Sequence, residues 1–515
     1  MRALEYDEQY KKGTIIYLCE RIPPSRRGAL ESLSMALDPN RPNEPEKGPI
    51  LRRLNPQDDR WLAIETPESP YQIGALLLFE LDAPHGAEEF VERVRAHLVR
   101  RLPSTPLPVR FVPAPFHFDT GMWCHRGPLD LDLYFFPIRF DQIGDTKALQ
   151  AFVAQKMMEP WAPDRAPFRI FAFERIQSDQ GPDHAAIMLQ THHALADGIG
   201  FQSIVTAVTD AEPSQTLSAA GSNSPESAMA ERPPGALPWL LSSSWRFVRE
   251  AAQRRRAEAT RQAALEELAQ FKKRPENRRA RTPTLEGLPK KCSMQRLYRT
   301  ASLPLEEFKR IGKALGGSVN DAFLTVAGGA LRAYLDDRGL LQSLADQPLV
   351  GLGARSVRQP ENGLYGNHIT LTLPQIATHV ADPRERFALV KQSMRSELER
   401  SDIMQKVADS DPRPFGARQR RSTPEVGTQA GNLSVSNVPG PQESRFLGGY
   451  RMTANYPAPN LPEGQLVNIT LRRYVDMLDF GFSSCPTIVP DLDVLKDQFI
   501  RAHQELLEDV SSPLD

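Results

Sequence analysis

The stretch Gln190-Thr191-His192-His193-Ala194-Leu195-Ala196-Asp197-Gly198 holds the residues best suited to chemistry. An apolar run, Ala185 to Gln190, leads into two adjacent histidines. An Asp-Gly turn then opens a helix over Ile199 to Val208, with Asp197 as its N-cap. Strand ends suit active groups because the sheet fixes the backbone while the loop exposes the side chain. Successive strand side chains face opposite ways, so one histidine is expected to face a cavity and the other to pack inward. An imidazole titrates near pH 6.5, about where a general base for neutral conditions should. The plain alternative is a structural histidine pair at a strand end. A metal site using His193 and Asp197 would need further ligands, and no partner motif such as HExxH accompanies them, so no metal is expected.

Other chemistries lack their motifs. There is no GxSxG elbow and no Walker A loop. Gly351-Leu352-Gly353-Ala354-Arg355-Ser356 lacks the last glycine of a dinucleotide fingerprint, and Asp479-Phe480-Gly481 has no HRD loop to make it kinase-like. Gly481 reads as a close-packing glycine and Cys485 as a core cysteine. The cysteines Cys19, Cys124, Cys292 and Cys485 are scattered, with no CxxC pair, which points to a reducing compartment.

The elements around the motif indicate an α/β chain in two halves. Its 515 residues are 40% hydrophobic and 25% charged, as expected of a globular protein with a sizeable core. Lys and Arg (63) balance Asp and Glu (64), which argues against a nucleic-acid partner. No apolar run is long enough to span a bilayer and no ordered secretory signal opens the chain, so a cytoplasmic location is expected. Residues 1–50 mix charge with proline and read as a partly disordered extension.

Residues 51–211 form the first half, with strands at Gly74 to Leu81, Phe168 to Glu174 and Ala185 to Gln190 and a helix at Ala87 to Arg101. Residues 212–292 read as a linker to Pro238, then a basic helix from about Trp245 to Lys273. Between Trp245 and Lys291 fall fourteen Lys and Arg but six Asp and Glu. Two readings stay open for that segment: a solvated surface helix, or a basic face for anionic lipid or for phosphates. The second half, 293–515, reads as helices Leu305 to Leu315, Val319 to Leu335 and Leu492 to Glu508. Strands are expected at Leu349 to Gly353, Ile369 to Leu373, Leu433 to Val438, Val467 to Arg472 and Asp479 to Phe482.

The chain resembles the HHxxxDG acyltransferases at His192 to Gly198. Further motifs are similar to the bacterial wax ester synthase/diacylglycerol acyltransferase family: Asn55-Pro56-Gln57-Asp58, Glu65-Thr66-Pro67, Gln72-Ile73-Gly74, Ser318-Val319-Asn320-Asp321 and Ser356-Val357-Arg358 with Gly366-Asn367. Asn432 to Pro441, Asn468-Ile469-Thr470 and Val489 to Asp493 continue the match in order. Pro167-Phe168-Arg169 and Ala354-Arg355 depart from the family's usual residues.

The resemblance implies two chloramphenicol-acetyltransferase-like domains with an active-site tunnel at their interface. It implies acyl transfer from acyl-CoA, a co-substrate rather than a bound cofactor, to a fatty alcohol or diacylglycerol, without an acyl-enzyme. His193 would be the base, beside His192. Asp197 with Gly198 would order the loop, with Arg358 the arginine to examine as its partner. Asn320 and Asp321 would support the site, Asn320 as a candidate oxyanion donor. A lipid or membrane surface is an expected peripheral partner. A condensation-type enzyme with another acceptor, and a non-catalytic lipid-surface protein, are the alternatives.

Overall fold

Strand His184–His192 is apolar on both faces, as a strand must be when helices cover both sides of its sheet. Ala185, Ile187 and Leu189 enter one core, while Ala186 and Met188 enter another. A computed structural model describes residues 52–511 apart from 82–86, 88, 118, 179–180, 214–231, 290, 345, 360–361, 364 and 411–430. The expected N-terminal extension, 1–50, lies outside the described residues, as does most of the linker before Pro238.

The first part of the chain runs β1 (Arg52–Arg53), α1 (Pro56–Ile64), β2 (Gln72–Glu80), α2 (Phe90–Arg101), β3 (Val109–Val112), β4 (Met122–His125), β5 (Phe135–Ile138), α3 (Thr146–Met157), β6 (Phe168–Ile176), β7 (His184–His192) and α4 (Gly198–Val208). Helix α5 (Ala236–Lys273) follows. The remainder comprises β8 (Leu297–Pro304), α6 (Leu305–Ala314), α7 (Val319–Asp336), β9 (Gly351–Ser356), β10 (Ile369–Thr372), α8 (Pro383–Ser410), β11 (Leu433–Val438), β12 (Phe446–Leu447), β13 (Tyr450–Ala458), β14 (Val467–Tyr474), β15 (Met477–Ser484) and α9 (Leu492–Ser511).

Two six-stranded sheets result, ordered β12-β13-β2-β7-β6-β5 and β10-β9-β11-β14-β15-β8, with a small sheet β1-β4-β3 beside them. The expected α/β class and two-sheet architecture hold. Helices α7 and α9 pack on the second sheet around Phe308, Phe323, Phe480 and Phe499. Helix α7 is buried nearly all round, which explains its apolar sequence.

One strand crosses between the expected segments 51–211 and 293–515. Strand β13 leaves the second half and pairs antiparallel with β2, placing Ala458 opposite Gly74 and Asn455 opposite Leu77. Its sequence, YRMTANYPA, contains Arg, Asn and Pro and does not read as a strand alone. The neighbouring edge of β2 supplies the missing ladder. Gly481 marks the crossing of the sheets: a Cβ there would meet the Pro457 carbonyl oxygen at 1.8 Å, so this glycine is required for close approach.

The linker boundary is corrected. Helix α5 starts at Ala236, well before Trp245, because Pro238 falls in the first turn, where no intrahelical N–H bond is lost. Its start is anchored to the first half: Arg53 donates to Ser243 Oγ (2.8 Å) and Ser242 Oγ (3.0 Å), and Arg246 pairs with Asp119. Its end lies on α8, where Leu268 and Phe271 meet Ile403 and Lys406 pairs with Glu267 at 2.8 Å.

Candidate functional site

Helix α1 sets the site. Asn55 caps it by accepting the Asp58 N–H (2.8 Å), and Pro56 starts it. Two turns on, the Trp61 ring stacks on His193 with centroids 5.0 Å apart and planes 18° apart. Just past the helix, Glu65 accepts the Tyr71 N–H (3.3 Å), and the Tyr71 carbonyl accepts the His193 N–H (2.7 Å). The adjacent histidines therefore divide as expected. His192 is fully buried; its Nδ1 accepts the Ala194 N–H at 3.1 Å, so Nε2 carries the proton and faces Glu65 Oε2 at 3.4 Å.

His193 turns the other way, into a cavity of about 150 Å³ between the two sheets. Trp61, Ile73, Gly74, Pro457 and Ala458 line it from the first sheet's side, and Leu352, Ile369, Ser436, Val438, Thr470 and Arg472 from the second. His193 Nδ1 is buried with no hydrogen-bond partner among the described residues, which leaves Nε2 for chemistry in the cavity. Burial lowers the His193 pKa from the ordinary 6.5, outweighing its own carbonyl and Asp197, which favour the cation. The ring is therefore neutral at pH 7, the state a base requires. Activity should persist as pH falls through 6.5 and drop only at the lowered value. A reaction that uses His193 as its base is expected to show an acid limb of kcat/KM below 6.5; an acid limb above 6.5 would contradict that role.

Asp197 does not act on the imidazole through a hydrogen bond; it orders the loop. Its Oδ1 accepts the Gly200 N–H (2.9 Å) as the N-cap of α4. Its Oδ2 accepts from Arg358 Nη2 (2.8 Å) and from the His368 N–H (3.0 Å), and both charged side chains are nearly buried. Arg358 also donates to the carbonyls of Gly363 and Gly366 at 2.5 Å and of Tyr365 at 3.1 Å. The Asp-Arg pair thus ties the motif loop to the segment after β9. That segment supplies Asn367, whose Nδ2 donates to the His193 carbonyl (2.7 Å) and to Asp58 Oδ1 (2.8 Å). Burial pushes Asp58 up to about 7, so Asn367 bridges a carboxyl that titrates near neutrality and the His193 main chain. Gly198 packs on β11: a Cβ would lie 3.0 Å from Val438 Cγ2.

Asn320 and Asp321 are not brought to the cavity wall. Asp321 forms the capping box of α7, accepting the Ser318 N–H at 2.8 Å and the Ser318 hydroxyl at 2.7 Å. Asn320 Oδ1 accepts weakly from Asn437 Nδ2 (3.5 Å), on the β11 residue between Ser436 and Val438. The expected oxyanion role does not suit that position. Ser436 lines the cavity, whereas Ser434, Thr470 and Asn468, which also line it, already donate to Gln465, Asn468 and Asn460. Trp61 escaped sequence reasoning because one tryptophan in a polar helix carries no motif. Ser436 lies within the Asn432 to Pro441 motif, where nothing in the sequence distinguishes it from Ser434. Among the described residues, no group of three or more His, Cys, Asp or Glu side chains is placed to hold a metal ion.

Residues 54–323 match the wax ester synthase/diacylglycerol acyltransferase catalytic domain, and residues 365–507 match the WS/DGAT C-terminal domain. The O-acyltransferase WSD of Acinetobacter baylyi is 27% identical over 86% of this chain and 94% of its own. A probable diacylglycerol O-acyltransferase of Mycobacterium tuberculosis is 27% identical over 88% and 97%. The wax ester synthase/diacylglycerol acyltransferase of Marinobacter aquaeolei has a similar fold: its TM-score is 0.60 at 21% identity, over 89% of this chain and 100% of that one. The starter condensation domain of rhizomide synthetase, in complex with C8-CoA, has a TM-score of 0.53 at 17% identity, over 90% and 97%. With its motif loop, its two sheets and both family domains in place, the chain belongs to the wax ester synthase/diacylglycerol acyltransferase family and is an acyltransferase.

Proposed function

We propose that the protein transfers a long-chain acyl group from acyl-CoA to the hydroxyl of a fatty alcohol or diacylglycerol, with His193 as general base. One observation carries this reading: His193, stacked on Trp61 and with its Nδ1 edge buried, lines a mostly apolar cavity between the sheets. Family membership supports acyl-CoA as the donor.

The acceptor hydroxyl donates to Nε2 while its oxygen attacks the thioester carbonyl carbon, and the carbonyl electron pair moves onto oxygen. Collapse restores the carbonyl and breaks the C–S bond, and the CoA thiolate recovers the proton from His193. The Ser436 hydroxyl is the donor for the oxyanion, since it lines the same cavity. Ser436→Ala is expected to lower kcat by about 10²-fold with little change in KM; an unchanged kcat would remove Ser436 from this role.

The function itself is tested by incubating the protein with long-chain acyl-CoA and either hexadecanol or diacylglycerol, following free CoA and ester together. One ester per CoA is expected. CoA release without ester would make the protein a hydrolase, and tight lipid binding without turnover would favour a non-catalytic role.

A further inference from the structure

The first four turns of α5 have their polarity reversed. At about 100° per residue, Leu237, Leu240, Leu241, Trp245, Phe247 and Val248 share one arc of about 160°. All six are between 37% and 66% exposed. The opposite arc carries Ser242, Ser243 and Arg246, which bind Arg53 and Asp119, together with buried Trp239. An ordinary surface helix hides its apolar arc and shows its polar one. Here polar anchors fix the helix while the apolar arc faces outward. Phe116 adds to the exposed apolar surface of this half, 86% exposed and held at a left-handed φ of 56°. Trp239 packs with Ala114, just before that turn, so α5 and the Phe116 turn belong to one local unit.

We propose that this face of α5 is a docking surface for an anionic phospholipid bilayer, entered by its apolar side chains without spanning. Among the described residues, no helix is long and apolar enough to cross a membrane. Exposed aliphatic and aromatic side chains on a laterally held helix bury their area at the headgroup boundary, where tryptophan is favoured. Charge selects the occupant. Exposed Arg255 and Arg256 continue directly from the apolar turns along the same helix. A second copy would bring the same positive charge against itself, whereas anionic headgroups attract it.

The proposal is independent of the acceptor, because its test reads binding and not turnover. The full chain is sedimented with vesicles of phosphatidylcholine alone or mixed with phosphatidylglycerol. Binding is expected to the mixed vesicles, weakening as salt rises. Leu241→Ser with Trp245→Ser and Val248→Ser should weaken it at least about tenfold, with circular dichroism unchanged. Arg255→Gln with Arg256→Gln, which leaves the apolar arc intact, should weaken it roughly tenfold and remove most of the preference for phosphatidylglycerol. Wild-type protein that stays in the supernatant, or a folded triple variant that binds as wild type does, would overturn the proposal. So would a wild-type dimer that the triple variant dissociates while neither form binds vesicles.

Discussion

Replacing His193 by alanine is expected to lower ester formation by about 10²–10⁴-fold, the usual contribution of a positioned general base. The fall should appear in kcat, because the apolar walls that hold the substrate chains are untouched. The side chain is partly exposed to the cavity and only its Nδ1 edge is sealed, so the thermal midpoint should change little. The same truncation at His192 has the opposite profile. That ring is fully buried, accepts the Ala194 N–H and tilts against Trp161 at 5.5 Å, so its loss should register first as instability. The contrast would separate the proposed base from a structural histidine within a single dipeptide.

Arg358→Met is expected to destabilise the fold by about 3–5 kcal/mol, the cost of leaving one member of a buried ion pair without its partner. Asp197 would keep only the Gly200 and His368 N–H groups, with its carboxylate still nearly buried. Arg358 also ties down the carbonyls of Gly363, Tyr365 and Gly366, so the Asn367 bridge to the His193 carbonyl should loosen as well. The urea midpoint reads this loss directly. Combining Arg358→Met with Asp197→Asn should restore part of it, since the stranded charge is gone; strict additivity would show that the pair is not coupled.

The motif loop was legible because chemistry and backbone demands coincide there. Asp197 must cap a helix and answer a buried charge, and a short run of residue types records both. Arg358 could be nominated for the same reason: a buried aspartate needs a cation, and Ser356-Val357-Arg358 offered one. Strand β13 was illegible because its stability comes from pairing with β2, almost four hundred residues away. Helix α8 is not legible because its charged surface answers Glu267 on α5 and Arg274 and Arg279 in the segment after it, which no local period reveals. Asn320 and Asp321 were located correctly at a helix start, but the capping box satisfies Asp321 there and keeps it from the cavity wall. The outward arc of α5 shows the converse limit. Its apolar residues have the spacing of a buried stripe, and only the side occupied by Ser242, Ser243 and Arg246 reveals which way the stripe faces.

The proposed transfer is direct, in one complex, with His193 moving the proton and no protein atom carrying the acyl group. Its most direct test is intact-protein mass after mixing with long-chain acyl-CoA without acceptor, with free CoA measured alongside. Direct transfer predicts an unmodified mass and no burst of CoA, followed by ester and CoA in equal amounts once hexadecanol or diacylglycerol is added. A burst of CoA accompanied by a protein heavier by one acyl group, and a return to the original mass on adding acceptor, would contradict it.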